Sequence, residues 1–400
     1  MSKNERILVG VGLLYFISAT MSNVFVNVYL YAHTGSLMML ISYSFVRYFC
    51  IPVGYLIAGQ LTRKVRLSVI LTTGLIVLSL ALGILLTINA YFEEWPILIF
   101  LIGVVFGLGE GMYWFSANNL NQLASSKLTR PAFVSSMGIA NAVATIIAPF
   151  SATWIVTNSG TDTEGYLRIF QVVIVVQLIA SILASRVTLA HDKSRFTLLD
   201  KFDLRHDAQW RYIMTSNVLF GIREAVLFVL GGILIFRATG NSGKAYGDLL
   251  TMFALLAIAS NAIARKLISR ENRMRMYTVG AILLFVGTMV LVLVPTLQGA
   301  IFYGVVNAIG SPFLINPFNI IVMNAIQDYA GKEPLYGRII ARETAWTTGR
   351  LIGFFSILLV SWLVPEPLSL VIAVTFCSSS ILVLMVYARR YHRLRETKPN

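Results

Sequence analysis

Twelve apolar stretches, each about long enough to cross a lipid bilayer, follow one another along nearly the whole chain. A helix of about 20 apolar residues spans roughly 30 Å of hydrocarbon, so stretches of this length predict transmembrane helices. They leave too little chain for a separate domain outside the membrane. The expected fold class is therefore an all-α membrane protein with twelve transmembrane helices in two six-helix bundles. The predicted spans are 7–32, 37–61, 68–91, 97–122, 131–156, 166–189, 212–236, 246–265, 276–295, 297–325, 339–364 and 367–388.

The location of the basic residues predicts the orientation of the chain in the membrane. If the N-terminus is cytoplasmic, nearly all Lys and Arg outside the spans lie on the cytoplasmic side, and the other side carries only Arg168, Arg237 and Lys244. This asymmetry follows the positive-inside rule, so both termini are expected in the cytoplasm. The net charge of +14 is thereby attributed to topology, and nucleic acid is not expected as a partner. Compact loops favour a prokaryotic inner (cell) membrane.

The longest polar interval divides the twelve spans into two groups of six. We expect an N-terminal bundle over 1–189, a cytoplasmic linker over 190–211 and a C-terminal bundle over 212–400. Apolar residues interleave with charges inside the linker, which is typical of a short helix lying on the inner leaflet. A solvated linker with some helix fits the same pattern, and both interpretations stay open. The apolar linker residues are Phe196, Leu198, Leu199, Phe202 and Leu204.

Several other chemistries lack a recognisable pattern in this sequence. It contains no phosphate-binding loop for ATP, no metal-ligand spacing of His and Cys, and no nucleophile elbow of a hydrolase. The two cysteines, Cys50 and Cys377, fall inside predicted spans and indicate no disulfide framework. We therefore expect neither an enzyme nor a cofactor.

Short motifs resemble those of the major facilitator superfamily of transporters. The loop Gly59–Arg66 is similar to the superfamily's loop motif at a glycine, a leucine and two arginines, although Thr62 replaces the usual aspartate. The fourth span, over 103–111, resembles the pattern R-x-x-x-G-x-G-x-G, with Gly103 where an arginine is common. In the fifth span, Ala148-Pro149 is similar to a Gly-Pro step of the superfamily. The step from Gly103 to Gly107 is also a G-x-x-x-G motif, which predicts close helix packing.

The resemblance implies a monomeric transporter in which two six-helix bundles rock to expose a central site to each side in turn. The first, fourth, seventh and tenth helices would line the central cavity. The resemblance places gating residues at Gly59, Arg63 and Arg66. Thr62 cannot form the ion pair of the usual aspartate, so either another acid such as Glu343 replaces it or the gate is held more weakly. Arg342 and Glu343, at the cytoplasmic mouth of the eleventh span, are expected at this gate. The alternative for them is a solvated interfacial pair.

Five charged residues lie near the middle of predicted spans, at similar depths in the bilayer. A charge at the bilayer centre costs at least about 2.5–3.5 kcal/mol on insertion scales, so it usually faces the bundle interior and serves function. Transporters of this kind bind substrate near the same depth. The alternative is that these residues pair with one another and fasten helices. They are Arg47, Glu110, Arg223, Glu224 and Arg350.

The balance of these charges favours an anionic ligand. Three arginines against two glutamates leave one positive charge, and an unpaired buried charge is costly. Guanidinium groups bind carboxylate or phosphate through two hydrogen bonds, so the arginines are expected to bind substrate. Glu110 has no charged neighbour in the sequence and is the first candidate for proton coupling, with Glu224 the second. Since Arg223 and Glu224 point about 100° apart on a helix, one should face the cavity while the other pairs with a neighbouring span.

Uncharged polar and aromatic residues in the spans add further candidates. Two asparagines on the first span are four residues apart and share a face, and the tenth span carries Asn307, Asn316 and Asn319. Hydrogen bonding between helices, at about 0.6 kcal/mol each, and ordinary aromatic packing are the alternatives. The residues expected to contact substrate are Asn23, Asn27, Tyr113, Trp346 and Asn316.

Together these features predict a secondary active transporter that moves a small anionic or zwitterionic solute by alternating access, coupled to protons. Its expected partners are this small molecule, protons and membrane lipids. One alternative is an exporter or flippase of an amphiphile such as a drug or an anionic glycolipid. Another is a scaffold or sensor that has kept the fold without transport, in which Arg47, Glu110 and Arg350 would all be held in mutual pairs.

Overall fold

The computed structural model describes residues 1–92, 94–125, 129–189, 202–205, 207–269, 271–327 and 336–396. Within these ranges the chain is mostly helical, contains no strand, and provides twelve helical segments long and apolar enough to cross a membrane. The prediction of an all-α protein with twelve transmembrane helices is confirmed. The helices are α1 (Lys3–Thr34), α2 (Leu37–Leu61), α3 (Leu67–Ile88), α4 (Leu98–Ala124), α5 (Arg130–Thr157), α6 (Asp162–Ser185), α7 (Ala208–Ala225), α8 (Gly232–Ala238), α9 (Gly243–Leu267), α10 (Arg273–Leu293), α11 (Leu297–Gln327), α12 (Tyr336–Leu363) and α13 (Leu368–Glu396).

The seventh span differs from the prediction of one regular helix over 212–236. It covers Ala208–Ala238 and consists of α7, a π-helical segment Val226–Gly231, and α8. Segments of π-helix are rare and frequently occur at functional sites. Here the change in hydrogen-bond register begins two residues after Glu224, next to a charged position of the span.

Capping residues at the ends of α1 and at the start of α2 show how the local sequence sets the helix ends. At the start of α1, the Ser2 hydroxyl accepts from the Glu5 backbone N–H and the Glu5 carboxylate accepts from the Ser2 N–H, which is a capping box. Gly35 caps the C-terminal end of α1, and its φ of 63° lies in the left-handed region that favours glycine. Ser36 then caps α2 by accepting from the backbone N–H of Met39. Two residues thus suffice to join the first two spans.

The chain forms two compact units. The first comprises Met1–Arg195 together with Ser242–Thr251, and the second comprises Phe196–Asn241 together with Met252–Asn400. The beginning of α9 therefore belongs to the first unit, although the rest of that helix belongs to the second. The predicted boundaries of the two bundles and the linker stay predictions.

The predicted linker over 190–211 falls largely on residues outside the described ranges, namely 190–201 and 206. The same holds for most of the predicted surface helix. Of its apolar residues that the structure describes, Phe202 is exposed and Leu204 packs against the core of the second unit.

In the first unit, glycines allow α2 and α4 to pack backbone against backbone. Gly103, Gly107 and Gly111 are four residues apart on α4 and therefore share one face. A Cβ added at Gly107 would lie 2.1 Å from the carbonyl oxygen of Arg47, and one at Gly111 would lie 2.3 Å from that of Ile51. The packing role predicted for Gly103 and Gly107 is confirmed. This contact sets the middle of α2 directly against the middle of α4.

A similar contact joins α7 and α12 in the second unit. A Cβ added at Gly221 would lie 2.1 Å from the carbonyl oxygen of Trp346, and one at Gly349 would lie 2.0 Å from that of Val218. No residue larger than glycine fits at either position without moving a helix. The close approach brings the charged end of α7 against the middle of α12.

Candidate functional site

A buried ion pair joins α2 to α4 in the first unit. Arg47 Nη2 lies 2.5 Å from Glu110 Oε1 and Arg47 Nε lies 3.0 Å from Glu110 Oε2, so the contact is bidentate. Arg47 is 5% exposed and Glu110 is 7% exposed. Glu110 therefore has a charged neighbour in the folded protein, although it has none beside it in the sequence.

Arg47 also connects this pair to α1. Its Nη2 donates a hydrogen bond to Asn23 Oδ1, and its Cζ lies 4.8 Å from the centroid of the Phe106 ring. Asn27, one turn further along α1, is buried. The structure thus brings Asn23, Arg47 and Glu110 together as three hydrogen-bonded side chains from three helices.

Tyr113, another residue expected to bind substrate, packs between α4 and α1. Its ring stacks on that of Tyr15, with 3.5 Å between the centroids and 15° between the planes, and both residues are buried. Its contact with substrate stays a prediction, because the residue is enclosed by its own unit.

A second buried ion pair joins α7 to α12 in the second unit. Glu224 Oε2 accepts hydrogen bonds from Arg350 Nε at 2.9 Å, from Arg350 Nη2 at 2.7 Å and from Trp346 Nε1 at 2.6 Å. The Arg350 Cζ also lies 4.8 Å from the centroid of the Trp346 ring. Of the adjacent residues Arg223 and Glu224, Glu224 is therefore the one that forms an ion pair with a neighbouring span.

Arg223 has a different environment. It is 3% exposed, and its Nη2 donates to Asn307 Oδ1 on α11 at 3.3 Å. In the part of the chain that the structure describes, Arg223 forms no ion pair with Asp or Glu. An amide oxygen carries only a partial charge, so the positive charge of this buried guanidinium is not neutralised by a direct partner.

The sequence predicts a substrate contact for Asn316 but not for Asn307 on the same helix. Asn316 is half-buried, and its Nδ2 donates to Asn261 Oδ1 on α9 at 3.5 Å. The available signal was the same for both, an asparagine inside an apolar span. Which of them meets a buried arginine depends on the rotation of α11 against α7, which hydropathy does not report.

The predicted gating loop lies between α2 and α3. Gly59 is buried and its carbonyl oxygen accepts a hydrogen bond from Thr62 Oγ1 at 2.7 Å, which closes the last turn of α2. Arg63 and Arg66 are exposed. The roles of these residues in a gate stay predictions.

Arg342 and Glu343 form an ion pair with each other near the start of α12, through Arg342 Nη2 and Glu343 Oε1. The Arg342 Cζ also lies 6.0 Å from the centroid of the Trp346 ring. This pair is half-buried rather than fully solvated. Its role in a gate is likewise a prediction.

Within the described residues, no group of three or more His, Cys, Asp or Glu is placed to hold a metal ion. Both cysteines, Cys50 and Cys377, are free and buried.

The chain matches a known family of transporters. The model of the Major Facilitator Superfamily matches residues 8–333, and the chain belongs to this family. It is an integral, multi-pass membrane protein with twelve helical spans in its described part. The family and its fold are those of non-enzymatic transporters of small molecules, which confirms the resemblance found in the sequence.

Individual relatives extend over nearly the whole chain. "Uncharacterized protein YqgE" of Bacillus subtilis (strain 168) is 28% identical over 377 residues, which cover 93% of this chain and 86% of that protein. A bacterial homologue of the iron transporter ferroportin, in its inward-facing state, is similar in structure with a TM-score of 0.71, 13% identity, and coverage of 98% and 99%. The E. coli fucose:proton symporter is similar with a TM-score of 0.64, 14% identity, and coverage of 96% and 97%. At such identities the structural likeness establishes the fold.

Proposed function

We propose that the protein is a secondary active transporter that moves a small anionic or zwitterionic solute by alternating access, coupled to protons. The observation that carries this proposal is the environment of Arg223. Among the residues that the structure describes, Arg47 and Arg350 each have a carboxylate partner, whereas buried Arg223 contacts the amide of Asn307 and no carboxylate. A buried charge without a counter-ion in direct contact is costly, and an anionic group of the substrate would supply that contact.

Guanidinium chemistry narrows the class of substrate. The planar guanidinium of Arg223 can bind a carboxylate or a phosphate through two parallel hydrogen bonds. Asn307, which holds this guanidinium on α11, also has an amide N–H₂ that can donate to a substrate oxygen. A small solute with one carboxylate or phosphate group therefore fits this pair of side chains better than a neutral one.

The two buried ion pairs provide a means of coupling to protons. When Glu110 accepts a proton it loses its negative charge, and Arg47 then loses its ionic partner. The same holds for Glu224 and Arg350. Each protonation would leave an arginine that binds an anion more strongly, and by linkage a bound anion would favour protonation. Anion and proton would then move together. The structural likeness to the fucose:proton symporter supports coupling to protons.

The test is transport by the purified protein in liposomes that contain a pH-sensitive dye. A panel of small carboxylates, organic phosphates and amino acids is imposed in turn, and proton movement is followed with and without each solute. Arg223→Gln should lose anion-dependent transport, because the unneutralised guanidinium is absent. Glu110→Gln should uncouple solute movement from proton movement. Proton movement in Glu110→Gln equal to that of the parent would contradict its coupling role.

Two exposed ion pairs of the chain give matched controls. Arg168 pairs with Glu164 and Arg237 pairs with Glu366, all with side chains at least 31% exposed. Arg168→Gln and Glu366→Gln make the same chemical changes as the test variants but at exposed positions. Both should transport like the parent protein. An equal loss in Arg168→Gln and Arg223→Gln would mean that net charge, and not the buried position, determines the effect.

The orientation and assembly belong to the same proposal. The basic residues support cytoplasmic termini, and the relative in Bacillus subtilis supports a bacterial cell membrane. We propose that the protein works as a monomer within membrane lipids.

One observation favours a second candidate, a scaffold or sensor that has the fold but does not transport. Arg47, Glu110 and Arg350 are all held in pairs within their units, as that alternative predicts. The liposome assay separates the two, because no solute of any class would move protons or accumulate if this candidate were correct.

A further inference from the structure

A groove runs along an exposed side of α13, toward the C-terminal end of that helix. Its volume of about 390 Å³ falls within the range of roughly 300–1,000 Å³ that ligand pockets of proteins cover. Val383 and Val386 in its wall are 54% and 47% exposed, although both are apolar. We call this feature the α13 groove. Its described lining residues are Leu382, Val383, Val386, Tyr387 and Arg390.

The lining residues of the α13 groove are ordered by polarity along the helix. Leu382, Val386 and Arg390 are four residues apart and therefore share one side of α13. At about 1.5 Å per residue, the groove extends roughly 12 Å from Leu382 to Arg390. Arg390 is exposed and is the last residue of the span Leu368–Arg390. The groove thus has an apolar wall inside the span and a positive charge at the end of the span.

Contacts with two neighbouring helices hold this end of α13 in place. The Tyr387 ring stacks on that of buried Tyr212 on α7, with 5.3 Å between the centroids and 26° between the planes. Arg389 Nη2 donates to Thr278 Oγ1 on α10 at 2.8 Å. The groove is therefore part of the packed second unit. Tyrosine is common at the boundary between membrane and water, and the Tyr387 hydroxyl can donate to a phosphate or ester oxygen.

Arginines are concentrated at the charged end of the α13 groove. Four of the seven residues over 389–395 are arginines, and the sequence predicts that this end of α13 is cytoplasmic. Clusters of about four to eight basic residues directly after a transmembrane helix on that side are typical of binding to anionic lipids. Among the acidic residues whose side chains the structure describes, none forms an ion pair with Arg390. Since a guanidinium binds a phosphate through two hydrogen bonds, Arg390 is suited to a lipid phosphate.

We propose that the α13 groove binds one anionic phospholipid of the surrounding membrane. An acyl chain lies along Leu382, Val383 and Val386, and the headgroup phosphate contacts Arg390. In a bilayer any apolar surface contacts acyl chains, so the positive charge at the end of the groove selects the class of lipid. A zwitterionic lipid carries its own cation beside the phosphate and gains less from the arginines. The site shares no residue with the two buried ion pairs or with Arg223, so the inference is independent of the proposed transport.

Native mass spectrometry of the purified, delipidated full-length protein in detergent tests the site. Phosphatidylglycerol and phosphatidylcholine with identical acyl chains are titrated separately, and the dissociation constant of the first bound lipid is measured for each. Phosphatidylglycerol should bind at least about fivefold more tightly, the factor that one basic residue contributes to binding an anionic lipid surface. Arg390→Gln should weaken the binding of phosphatidylglycerol by about the same factor and leave that of phosphatidylcholine unchanged. Arg390→Lys keeps the charge and should keep most of the difference between the two lipids.

The apolar wall is tested with a substitution that fills the groove. Val386→Phe places a larger side chain where the acyl chain lies, so it should weaken the binding of both lipids. Its matched control is Val172→Phe on α6, at a valine that is 41% exposed. The matched control for the charge is Arg186→Gln, which removes an exposed arginine after the end of α6. Both controls should bind phosphatidylglycerol like the parent protein, and thermal unfolding in the same detergent verifies that every variant is folded.

Several results would overturn the lipid site. Equal affinities of the parent protein for the two lipids would show that the groove does not select an anionic headgroup. Equal weakening in Arg390→Gln and Arg186→Gln would show that net charge, and not the groove, attracts the lipid. Binding that Val386→Phe leaves unchanged would show that no acyl chain lies along the wall. Glycerol 3-phosphate, which has no acyl chain, should not displace the lipid. Displacement at concentrations as low as those of phosphatidylglycerol would identify the site as one for a soluble phosphate.

Discussion

The pair of Arg47 and Glu110 illustrates how a buried charge can be stable in a membrane helix. Its two short contacts satisfy both carboxylate oxygens, and Asn23 takes a further guanidinium hydrogen. Removing one member of a buried pair leaves the other without compensation, which typically costs about 3–5 kcal/mol. We therefore expect Arg47→Met and Glu110→Gln each to destabilise the protein strongly, and the double variant to recover part of the loss. Thermal unfolding in detergent measures all three.

The exposed pair of Arg168 and Glu164, with 50% and 45% exposed side chains, is the control for this cycle. Arg168→Gln should change the unfolding free energy by no more than about 1 kcal/mol, because surface ion pairs contribute little. A single variant of the buried pair that costs no more than Arg168→Gln would show that Arg47 and Glu110 do not stabilise the fold together.

The sequence identifies the buried charges but not their partners. Each charged residue is evident because it interrupts an apolar span, which is a local property. Its partner depends on the rotation and spacing of helices that are distant in sequence. Arg47 and Glu110 are 63 residues apart, and Arg350 and Glu224 are 126 residues apart. The sequence cannot separate Asn307 from Asn316 for the same reason, since only the contact of Asn307 with Arg223 distinguishes the two.

At the scale of the helices, glycine positions decide which side chains meet. Gly107 lies so close to α2 that even a methyl group would overlap the carbonyl oxygen of Arg47. Gly107→Ala should force α2 and α4 apart and destabilise the unit by about 1–3 kcal/mol, as overpacking generally does. Thermal unfolding measures the loss. The transport assay in liposomes then shows whether the displaced Arg47 still supports function.

Gly83 on α3 provides the matched control, because nothing lies within 4 Å of a Cβ added there. Alanine is the better helix former by up to about 1 kcal/mol, so Gly83→Ala should be neutral or stabilising. Equal effects of the two alanine substitutions would rule out close packing at Gly107 as the cause.

The positions of the helices can be predicted from the sequence better than irregularities within them. The twelve spans follow from hydropathy because the cost of placing polar groups in lipid acts on each segment separately. The helix ends at Ser2, Gly35 and Ser36 follow from capping preferences that are also local. The π-helical segment Val226–Gly231 has no such signal, since its residues are an ordinary apolar run. Its change of register depends on contacts made elsewhere in the second unit.

At the scale of the whole molecule, charge distribution links the topology to the proposed mechanism. The net charge of +14 comes from basic segments on one predicted side, and by the positive-inside rule these residues predict the orientation of the chain. The same rule predicts that the start of α12, with Arg338 and Arg342, lies on the cytoplasmic side. This orientation would put the ion pair of Arg342 and Glu343 near the cytoplasmic face, where the sequence predicts a gate.

Cysteine labelling of right-side-out membranes measures this orientation. Cys50 and Cys377 are both buried, so a membrane-impermeant maleimide should react little with the parent protein. We expect Ser159→Cys, between α5 and α6, to react from outside. We expect Lys64→Cys, between α2 and α3, to react only after the membrane is permeabilised. The reverse pattern would place Arg338 at the outer face. The predicted gate at Arg342 and Glu343 would then lie on the opposite side of the membrane, while the ion pairs within each unit would be unaffected.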